Sequence, residues 1–357
     1  MTTRRNLLKA ASLATAGLLL PGCAIQMPRE RVVARRLTLP RPAIAEHLVI
    51  REVAGLRPFR PQGFRVDAER IGEKLVIHNY GHGGCGVTLS WGTARLVLDD
   101  ALAQPHRHVA VLGCGAVGLA TARLFQDHGF KVSLYARELP PETTSNVAGA
   151  LWAPSYLLDS EHETAAFAQQ LARASRFAHR YFQLLPDRRY GVRWIPLYML
   201  STRPQPRLAW DWSVTPELFR STTHPPGTHP FGDRYAHEFR LMMIEPSIYL
   251  PAMMDAFRLA GGTLEVRELH AVEEVLALPE PLVINCTGLG ARALFGDDSL
   301  MPIKGQLTVI APQAQIDYGV IDGAAGLYMF PRRDGLQLGG TRGRGDWSLT
   351  PDPQASA

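Results

Sequence analysis

HVAVLGCGAVGLATARLFQDHGFKVSLYARE, residues 108–138, is the stretch that decides the fold. Its apolar run Val109–Leu112 has the length of a strand and ends in the glycine-rich turn GCGAVG, residues 113–118. Apolar residues then recur at helical spacing up to Gly129, and Val132–Tyr135 forms a second short strand. A G-x-G-x-x-G turn between a strand and a helix lets the backbone approach a pyrophosphate. The stretch predicts a βαβ unit that binds a dinucleotide; the alternative is a glycine-rich turn in another α/β protein.

The N-terminal segment, residues 1–23, has the pattern of an export signal. Arg4 and Arg5 form a twin-arginine pair, and the apolar stretch of residues 10–20 is too short to cross a bilayer. Small residues before Cys23 resemble a lipoprotein cleavage box. We expect export by the twin-arginine route and a periplasmic or cell-envelope location with a lipid anchor at Cys23. The alternative is a basic N-terminus on a cytoplasmic protein.

Charge and cysteine content narrow the class of protein. The formal charge of +5 falls to +2 when Arg4, Arg5 and Lys9 leave with the signal, which gives no argument for a nucleic-acid partner. A basic stretch of residues 31–41 is interpreted as a solvated tether, so membrane contact is expected only through the lipid anchor. The four cysteines have no paired spacing, so neither a disulfide framework nor a metal cluster is predicted.

A second glycine-rich turn lies upstream, in LVIHNYGHGGCGVTLSW, residues 75–91. A short strand, residues 75–77, leads into the glycines, and a helix pattern covers residues 87–102. The turn offers backbone N–H groups and a helix N-terminus to a flat or anionic ligand. His78 and His82 have a metal-ligand spacing, but no carboxylate or cysteine cluster accompanies them, so loop architecture is favoured and no metal is expected.

The middle of the chain has the pattern of a second domain. Ser160 and Glu163 form a capping-box pattern, and a helical apolar stripe follows through residues 167–184. Residues 187–245 lack a helical period and contain short β-like runs, as a sheet with long loops would. A helix over residues 248–259 and a strand over residues 263–266 complete this region.

The most specific motifs of the chain are HNYGHGG, residues 78–84, and GLRPFRP, residues 55–61, upstream of it. This pair resembles the D-amino-acid oxidase family, whose members depend on FAD. The similarity continues in TTSNVAGALW at 143–152, NCTG at 285–288, KGQ at 304–306, YMFP at 328–331, LGG at 338–340 and WS at 347–348. The resemblance therefore covers residues 55–348.

The resemblance implies an α/β fold: a Rossmann-type FAD-binding domain with a parallel sheet, and a mainly antiparallel substrate domain. In the family the βαβ unit opens the chain and the two specific motifs close it, whereas here they come first, so we expect a circular permutation. A scrambled or chimeric reading frame is the alternative. A helix that the family places after the WS motif is missing before Ala357, so either the C-terminus is truncated or residues 37–50 replace that helix.

The predicted segments follow from these motifs. They are 1–23, signal; 24–49, tether and first strand; 50–155, FAD-binding domain; 156–281, substrate domain with a helical insert; 282–300, FAD-binding segment; and 301–357, sheet of the substrate domain.

Three residues match the family's substrate-binding positions. Arg57 corresponds to the arginine that binds the substrate carboxylate, Tyr328 to the tyrosine that contacts it, and Gly84 to the residue whose carbonyl receives the amine. An ion pair of Arg57 with Glu52 or Asp67, and a purely structural role for Tyr328, are the alternatives.

Side-chain specificity is left open by two further features. The family's second active-site tyrosine is Ala324 here, so the roof of the pocket is open or differently filled. Arg332 and Arg333 could favour an acidic substrate, but a pair in a hairpin turn facing water is preferred.

The resemblance also assigns residues to FAD. The pyrophosphate would lie on the glycine-rich turn, the adenosine ribose on Glu138, and the flavin against the other segments, while Cys114 and Cys286 would be small buried apolar residues. The assigned positions are Gly113, Cys114, Gly115, Val117, Gly118, Arg137, Glu138, Thr143, Thr144, Gly149, Ala150, Leu151, Leu269, Thr287, Gly83, Gly84, Cys85, Gly86, Val87 and Thr88.

The implied activity is FAD-dependent oxidative deamination of D-amino acids to 2-oxo acids and ammonia, with O2 reduced to H2O2. A dehydrogenase of D-amino acids or glycine that passes electrons to a membrane quinone is the first alternative, and the lipid anchor favours it. An inactive flavin-binding envelope protein is the second. The expected partners are a small amino acid and O2 or a quinone, with a homodimer possible.

Overall fold

Two β-sheets organise the chain, and the computed structural model describes residues 36–355. In that range the strands are β1 (Val49–Phe59), β2 (Arg65–Ile71), β3 (Lys74–Tyr80), β4 (His108–Leu112), β5 (Lys131–Ala136), β6 (Val192–Ser201), β7 (Ser221–His224), β8 (Tyr235–Ile244), β9 (Thr263–Val266), β10 (Leu282–Asn285), β11 (Met301–Ile310), β12 (Gly319–Asp322), β13 (Leu327–Arg332), β14 (Gly335–Gly339) and β15 (Gly343–Arg344). The α-helices are α1 (Gly86–Leu102), α2 (Ala116–Asp127), α3 (Ala165–Gln183), α4 (Asp187–Tyr190), α5 (Trp210–Ser213), α6 (Pro246–Leu259), α7 (Val272–Leu276) and α8 (Ala291–Phe295).

The first sheet has the order β2-β3-β10-β4-β5-β9. All neighbours are parallel except β2 and β3, which form an antiparallel edge. Its central strand β4 buries every residue from Val109 to Leu112, as a strand covered on both faces requires. The predicted βαβ unit is therefore confirmed as β4-α2-β5.

The second sheet has the order β1-β11-β14-β13-β12-β6-β8-β7, with β15 also pairing with β11. Only the β12–β6 pair is parallel among its described strands, so the sheet is mainly antiparallel. The predicted combination of a parallel and a mainly antiparallel sheet is confirmed.

Helices α1, α3 and α6 share a buried aromatic core. Trp91 of α1 stacks on Tyr181 of α3 with ring centroids 3.8 Å apart, and its indole N–H donates to the Tyr249 hydroxyl of α6 at 2.8 Å. Both Trp91 and Tyr249 are fully buried, so the indole proton has a partner where water is excluded.

The predicted helices are observed with one corrected start. The helix predicted over residues 87–102 is α1, and the helix predicted over residues 248–259 begins two residues earlier as α6. The capping-box prediction was wrong, because Ser160 lies in a separate 3-10 turn that ends at His162. The cap of α3 is Thr164, whose hydroxyl accepts the N–H of Phe167 at 3.2 Å.

The sheets cross the predicted segment boundaries. Strand β1 lies in the predicted FAD-binding segment but pairs with β11 in the antiparallel sheet, whereas β9 lies in the predicted substrate segment and extends the parallel sheet. The twin arginines and Cys23 lie outside the described residues. Within the described range, no helix combines the length and apolarity that crossing a bilayer demands.

Close packing of α1 on α3 makes Gly92 a sensitive position. A Cβ on Gly92 would clash with the backbone carbonyl of Ala174, so the two helices would have to separate. We expect Gly92→Ala to lower the free energy of unfolding by about 2 kcal/mol, measured by urea unfolding of the FAD-loaded protein. Gly323→Ala is the control, because its Cβ meets no atom within 4 Å. Equal stabilities of the two variants would refute this packing.

Candidate active site

The glycine-rich turn between β4 and α2 is shaped by backbone contacts. Gly113 has a φ of 102°, and a Cβ there would lie 2.5 Å from the carbonyl oxygen of Cys286. A Cβ on Gly118 would clash with the carbonyl of Gly113, so α2 starts directly against the strand. The start of α2 thus lies directly against the end of β4, the place where a pyrophosphate would bind.

Ser145 supplies a hydroxyl to the same helix N-terminus. Its Oγ accepts the N–H of Ala116 at 2.9 Å, and it would lie 3.0 Å from a Cβ on Gly115. Sequence reasoning assigned the neighbouring Thr143 and Thr144 to the cofactor but missed Ser145. The Thr143 hydroxyl donates instead to the Asn146 side chain at 2.8 Å, which stabilises this short turn.

The predicted adenosine-binding residues meet at the end of β5. Arg137 donates to Glu138 at 3.1 Å and to Glu268 at 3.2 Å, and so ties the segment after β5 to the segment after β9. Leu269, next to Glu268, packs against the buried cluster that contains Tyr135. The assignment of Glu138 to the adenosine ribose, and of Leu269 to the neighbourhood of the flavin, stays a prediction.

The second glycine-rich turn, residues 83–86, packs against the backbone of residues 155–156. Gly83 has a φ of 54°, and a Cβ there would clash with the carbonyl of Tyr156. The N–H of Gly84 donates to that carbonyl at 3.3 Å. A Cβ on Gly86 would reach Val117 at 4.0 Å, so the starts of α1 and α2 lie side by side. Both predicted N–H sites therefore border one region.

The segment predicted to line the flavin touches the antiparallel sheet. A Cβ on Gly149 would lie 3.2 Å from the ring of Phe330 and 3.6 Å from the hydroxyl oxygen of Tyr328. Ala150 adopts a φ of 54°, which is strained for a residue with a side chain. Gly149 thus places the predicted flavin-lining segment next to Tyr328.

Arg332 anchors this segment from below. It is buried, and it donates to the carbonyl of Ala148 at 2.9 Å and to Asp334 at 2.8 Å. Arg333 donates to Asp187 at 2.7 Å. The prediction of an arginine pair facing water was wrong for Arg332, and both arginines already have carboxylate partners.

Arg57 is presented by β1 with its guanidinium over Gly305 of β11. Its Nη1 lies 3.5 Å from the carbonyl oxygens of Ile303 and Thr341, and it forms no ion pair with any residue of the described range. The alternative pairing with Glu52 or Asp67 is therefore absent, since Asp67 pairs with Arg65 at 2.9 Å. A part-buried guanidinium with free donors is suited to a ligand carboxylate.

Tyr328 lies beside this arginine. Its ring stacks on Phe330 with centroids 4.4 Å apart, and its hydroxyl would lie 2.5 Å from a Cβ on Gly339. Burial raises the pKa of Tyr328, and the charge of Arg57 opposes the rise. The phenol therefore stays protonated near neutral pH and can donate to a carboxylate.

Sequence reasoning missed two residues at this site, Tyr156 and Arg342. The Cζ of Arg342 lies 3.9 Å from the ring centroid of Tyr156, and the Cζ of Arg57 lies 6.0 Å from the same centroid. Burial lowers the pKa of Arg342, and so does the positive charge of Arg57. Arg342 is the second residue after the LGG motif. Nothing in the sequence indicates that it lacks a carboxylate partner.

The two histidines of the HNYGHGG motif are held inside the fold. His78 bonds to Glu69 at 2.7 Å and to Asn285 at 3.0 Å, while His82 bonds to Thr93 at 3.0 Å. Burial lowers the pKa of His82 to about 3, so its ring is neutral. Among the described residues no three His, Cys, Asp or Glu side chains gather into a metal site.

The cysteines of the site are buried thiols. Burial raises the pKa of Cys114 and of Cys286 to about 12, and Thr287, next to Cys286, is fixed by a 2.7 Å bond from its hydroxyl to Asn285. The prediction that Cys114 and Cys286 are apolar packing residues rather than nucleophiles agrees with this burial.

The two bare glycine turns, the aligned helix starts and the acid at the end of β5 fit FAD. Each would accept one part of it: the pyrophosphate, the flavin and the ribose. Beside them lies a guanidinium that can bind a carboxylate. This is the arrangement of a flavin-dependent oxidoreductase of small carboxylic acids or amino acids.

Comparisons with known proteins agree. The family model described as "FAD dependent oxidoreductase" matches residues 24–99 and 108–357. A D-amino-acid oxidase of Rubrobacter xylanophilus is 36% identical over 249 residues, which cover 68% of this chain and 72% of the relative. A D-aspartate oxidase of Homo sapiens is 29% identical over 70% of this chain and 72% of the relative. The solved glycine oxidase from Bacillus cereus is similar in fold, with a TM-score of 0.50 and 13% identity over 70% of this chain and 75% of that structure.

The chain belongs to the FAD-dependent oxidoreductase family that includes the D-amino-acid oxidases. It is accordingly an oxidoreductase that uses FAD and acts on CH–NH2 groups.

Asp211, which is close enough to Cys85 of the second glycine turn to affect its pKa, makes the stability of the fold depend on pH. Its carboxylate is buried, accepts the N–H of Trp212 at 3.1 Å, and its charge contributes to raising the pKa of the Cys85 thiol. Burial raises the pKa of Asp211 to about 7. The native state therefore holds a proton that the unfolded chain releases near pH 4, so this residue lowers stability as pH rises from about 4 to about 7.

We expect Asp211→Asn to be more stable than the wild type at pH 8 by a few kcal/mol, with the difference vanishing near pH 4. Thermal unfolding of the FAD-loaded protein across this range measures it. Asp187→Asn is the control of opposite sign, because Arg333 lowers the pKa of Asp187 and its contribution is lost as pH falls. A stability difference at Asp211 that does not change with pH would refute the assignment.

Proposed function

We propose that this protein oxidises D-amino acids. The reaction removes a hydride from Cα and a proton from the neutral amine, two electrons and two protons in all, to give an imino acid, which water hydrolyses to a 2-oxo acid and ammonia. Bound FAD supplies the electron acceptor, and O2 is the terminal oxidant, reduced to H2O2. The D preference and the oxidase activity rest on the similarity to the Rubrobacter xylanophilus D-amino-acid oxidase.

The observation that carries the proposal is the unpaired guanidinium of Arg57 beside the Tyr328 hydroxyl. A part-buried cation without an internal partner is costly unless a ligand supplies the anion. In this site Arg57 would hold the substrate carboxylate with two parallel N–H donors, and Tyr328 would donate a further hydrogen bond. The carbonyl of Gly84, on the turn next to the flavin position, would accept the amine.

This placement fixes the substrate at both ends of its Cα. The carboxylate is held from the antiparallel sheet and the amine from the turn between β3 and α1, so the Cα–H is aimed at the space between them. The neutral amine can assist departure of the hydride, so no side-chain base is required.

The order of the segments supports a circular permutation. The family model matches in two pieces that part near the loop between α1 and β4. The alignment of 249 residues with the Rubrobacter xylanophilus relative has nearly the length of the second piece, residues 108–357. Strands from the start of the chain also pair with strands near its end: β1 pairs with β11, and β3 pairs with β10.

The cellular setting is proposed from residues 1–23 alone. The twin arginines and Cys23 support export in the folded state and a lipid anchor in the cell envelope. Such a location would put a membrane quinone within reach as an alternative acceptor to O2. Assembly into a homodimer is a further proposal.

Anaerobic mixing with D-alanine and with L-alanine tests the activity. We expect the flavin absorption to bleach with the D isomer only, and Arg57→Ala to lower kcat/KM by at least about a hundredfold, since the carboxylate loses its charged partner. Arg51→Ala is the matched control, because Arg51 lies exposed on the same strand and pairs with Asp334.

Admitting air then identifies the acceptor. Recolouring as fast as turnover supports O2, whereas slow recolouring that a soluble quinone accelerates supports the dehydrogenase. An Arg57→Ala variant with wild-type rates, or a flavin that no D-amino acid bleaches, would overturn the proposal and favour the inactive scaffold.

A second candidate, oxidation of acidic D-amino acids, is favoured by Arg342. This guanidinium lies near Arg57 and forms no ion pair with any residue between 36 and 355. Two unpaired cations in one pocket suit a substrate with two carboxylates. The similarity to the D-aspartate oxidase of Homo sapiens supports the same substrate class.

Steady-state rates with D-aspartate and D-alanine separate the two candidates. We expect Arg342→Gln to lower kcat/KM for D-aspartate by about tenfold to fiftyfold and to leave D-alanine within about twofold, because only the first substrate has a second carboxylate. Arg344→Gln is the control, since Arg344 is exposed and pairs with Asp159. Equal losses for both substrates would exclude a role in side-chain recognition.

A further inference from the structure

Tyr156 occupies a place that neither the carboxylate-binding residues nor the cofactor segments explain. It follows the segment that lines the flavin, and its backbone carbonyl is held by the N–H of Gly84 at 3.3 Å. It adopts a φ of 53°, which is strained for a residue with a large side chain. Strain of this kind persists where surrounding contacts hold the residue, and it occurs often at ligand sites.

The ring of Tyr156 is shared between two guanidiniums. Arg342 lies almost directly over it, with 3.9 Å between Cζ and the ring centroid, and Arg57 lies at 6.0 Å. Tyr156 is 37% exposed, so it is not part of the buried core. Ala324, where the family resemblance implied a second tyrosine, lies exposed on the turn between β12 and β13 and provides no aromatic cover.

Stacking on Tyr156 offsets the repulsion between Arg57 and Arg342. Arg57 and Arg342 repel each other, and no carboxylate of the described residues separates them. A guanidinium stacked on an aromatic face is attracted to the ring while its N–H donors, which lie in its own plane, remain free. Tyr156 can therefore fix the plane of Arg342 without consuming the hydrogen bonds that a carboxylate would need.

We propose that Tyr156 is a positioning residue for substrate specificity: it holds Arg342 against repulsion from Arg57, ready to bind the side-chain carboxylate of an acidic D-amino acid. The inference rests on the proposed function and deepens it. Tyr156 acts mainly on the affinity for a second carboxylate, because its ring centroid lies 3.9 Å from the Cζ of Arg342 and 6.0 Å from the Cζ of Arg57. Its contribution is the preorganisation of one flexible side chain.

The test compares D-aspartate with D-alanine in Tyr156 variants. Tyr156→Ala is expected to lower kcat/KM for D-aspartate by about fivefold to tenfold more than kcat/KM for D-alanine, as loss of the close cation–π contact to Arg342 predicts. Tyr156→Phe keeps the ring and should retain the wild-type ratio of the two substrates. Trp194→Ala, which removes an exposed aromatic on β6, is the control.

Two further variants exclude simpler explanations. Tyr156→Gly also removes the ring, but glycine tolerates the positive φ. It should therefore lower the preference for D-aspartate over D-alanine as much as Tyr156→Ala does. If Tyr156→Ala lowers the ratio of kcat/KM for D-aspartate to kcat/KM for D-alanine and Tyr156→Gly leaves this ratio at the wild-type value, backbone strain is responsible and the proposal is wrong. In the Arg342→Gln background, Tyr156→Ala should cause no additional loss, because the two residues act through one contact.

A binding measurement separates failure of this inference from failure of the proposed function. Succinate has two carboxylates and no amine, and its Kd can be measured by perturbation of the flavin absorption, with butyrate as the monocarboxylate reference. We expect Tyr156→Ala to raise the Kd of succinate by about fivefold more than the Kd of butyrate. An unchanged succinate Kd would overturn the inference even in an enzyme that oxidises D-amino acids. A wild type that binds succinate but is bleached by no D-amino acid would instead refute the proposed function.

Discussion

Backbone-to-backbone contact at the two glycine turns is the constraint on which the site depends. Gly83 lies against the carbonyl of Tyr156. A Cβ added to Gly113 would lie 2.5 Å from the carbonyl oxygen of Cys286. Because no side chain fits at these positions, the starts of α1 and α2 can border the same space. A cofactor with an extended, anionic middle and a flat end suits such a surface.

Charge is distributed unevenly around that space. Structural arginines are neutralised by carboxylates: Arg193 pairs with the buried Glu245 at 3.0 Å, and Arg60 pairs with Asp297 at 2.8 Å. Arg57, which is partly buried, and Arg342, which is exposed, have no carboxylate partner within the described residues. Their two positive charges therefore lie close together, where an anionic substrate would gain from both.

Local patterns predicted the elements well, and distant pairings were beyond them. The β4-α2-β5 unit and α1 follow from apolar periodicity and glycine position within about thirty residues. The start of α3 was misplaced because two capping patterns lie close together, and only Thr164 bonds to the helix. The pairing of β1 with β11 and the stacking of Arg342 on Tyr156 join residues far apart in the chain, and no local pattern encodes them. Family resemblance supplied Arg57 and Tyr328, but Ser145, Tyr156 and Arg342 required coordinates.

The pairing of β1 with β11 also sets the order in which the site is completed during synthesis. Arg57 leaves the ribosome early, yet the strand beneath it, which contains Ile303, follows 246 residues later. Tyr328 and Arg342 come later still. Until then β1 is a strand without its neighbour, and a nascent chain has the carboxylate-binding arginine but no pocket around it. The substrate site is therefore among the last parts of the molecule to form.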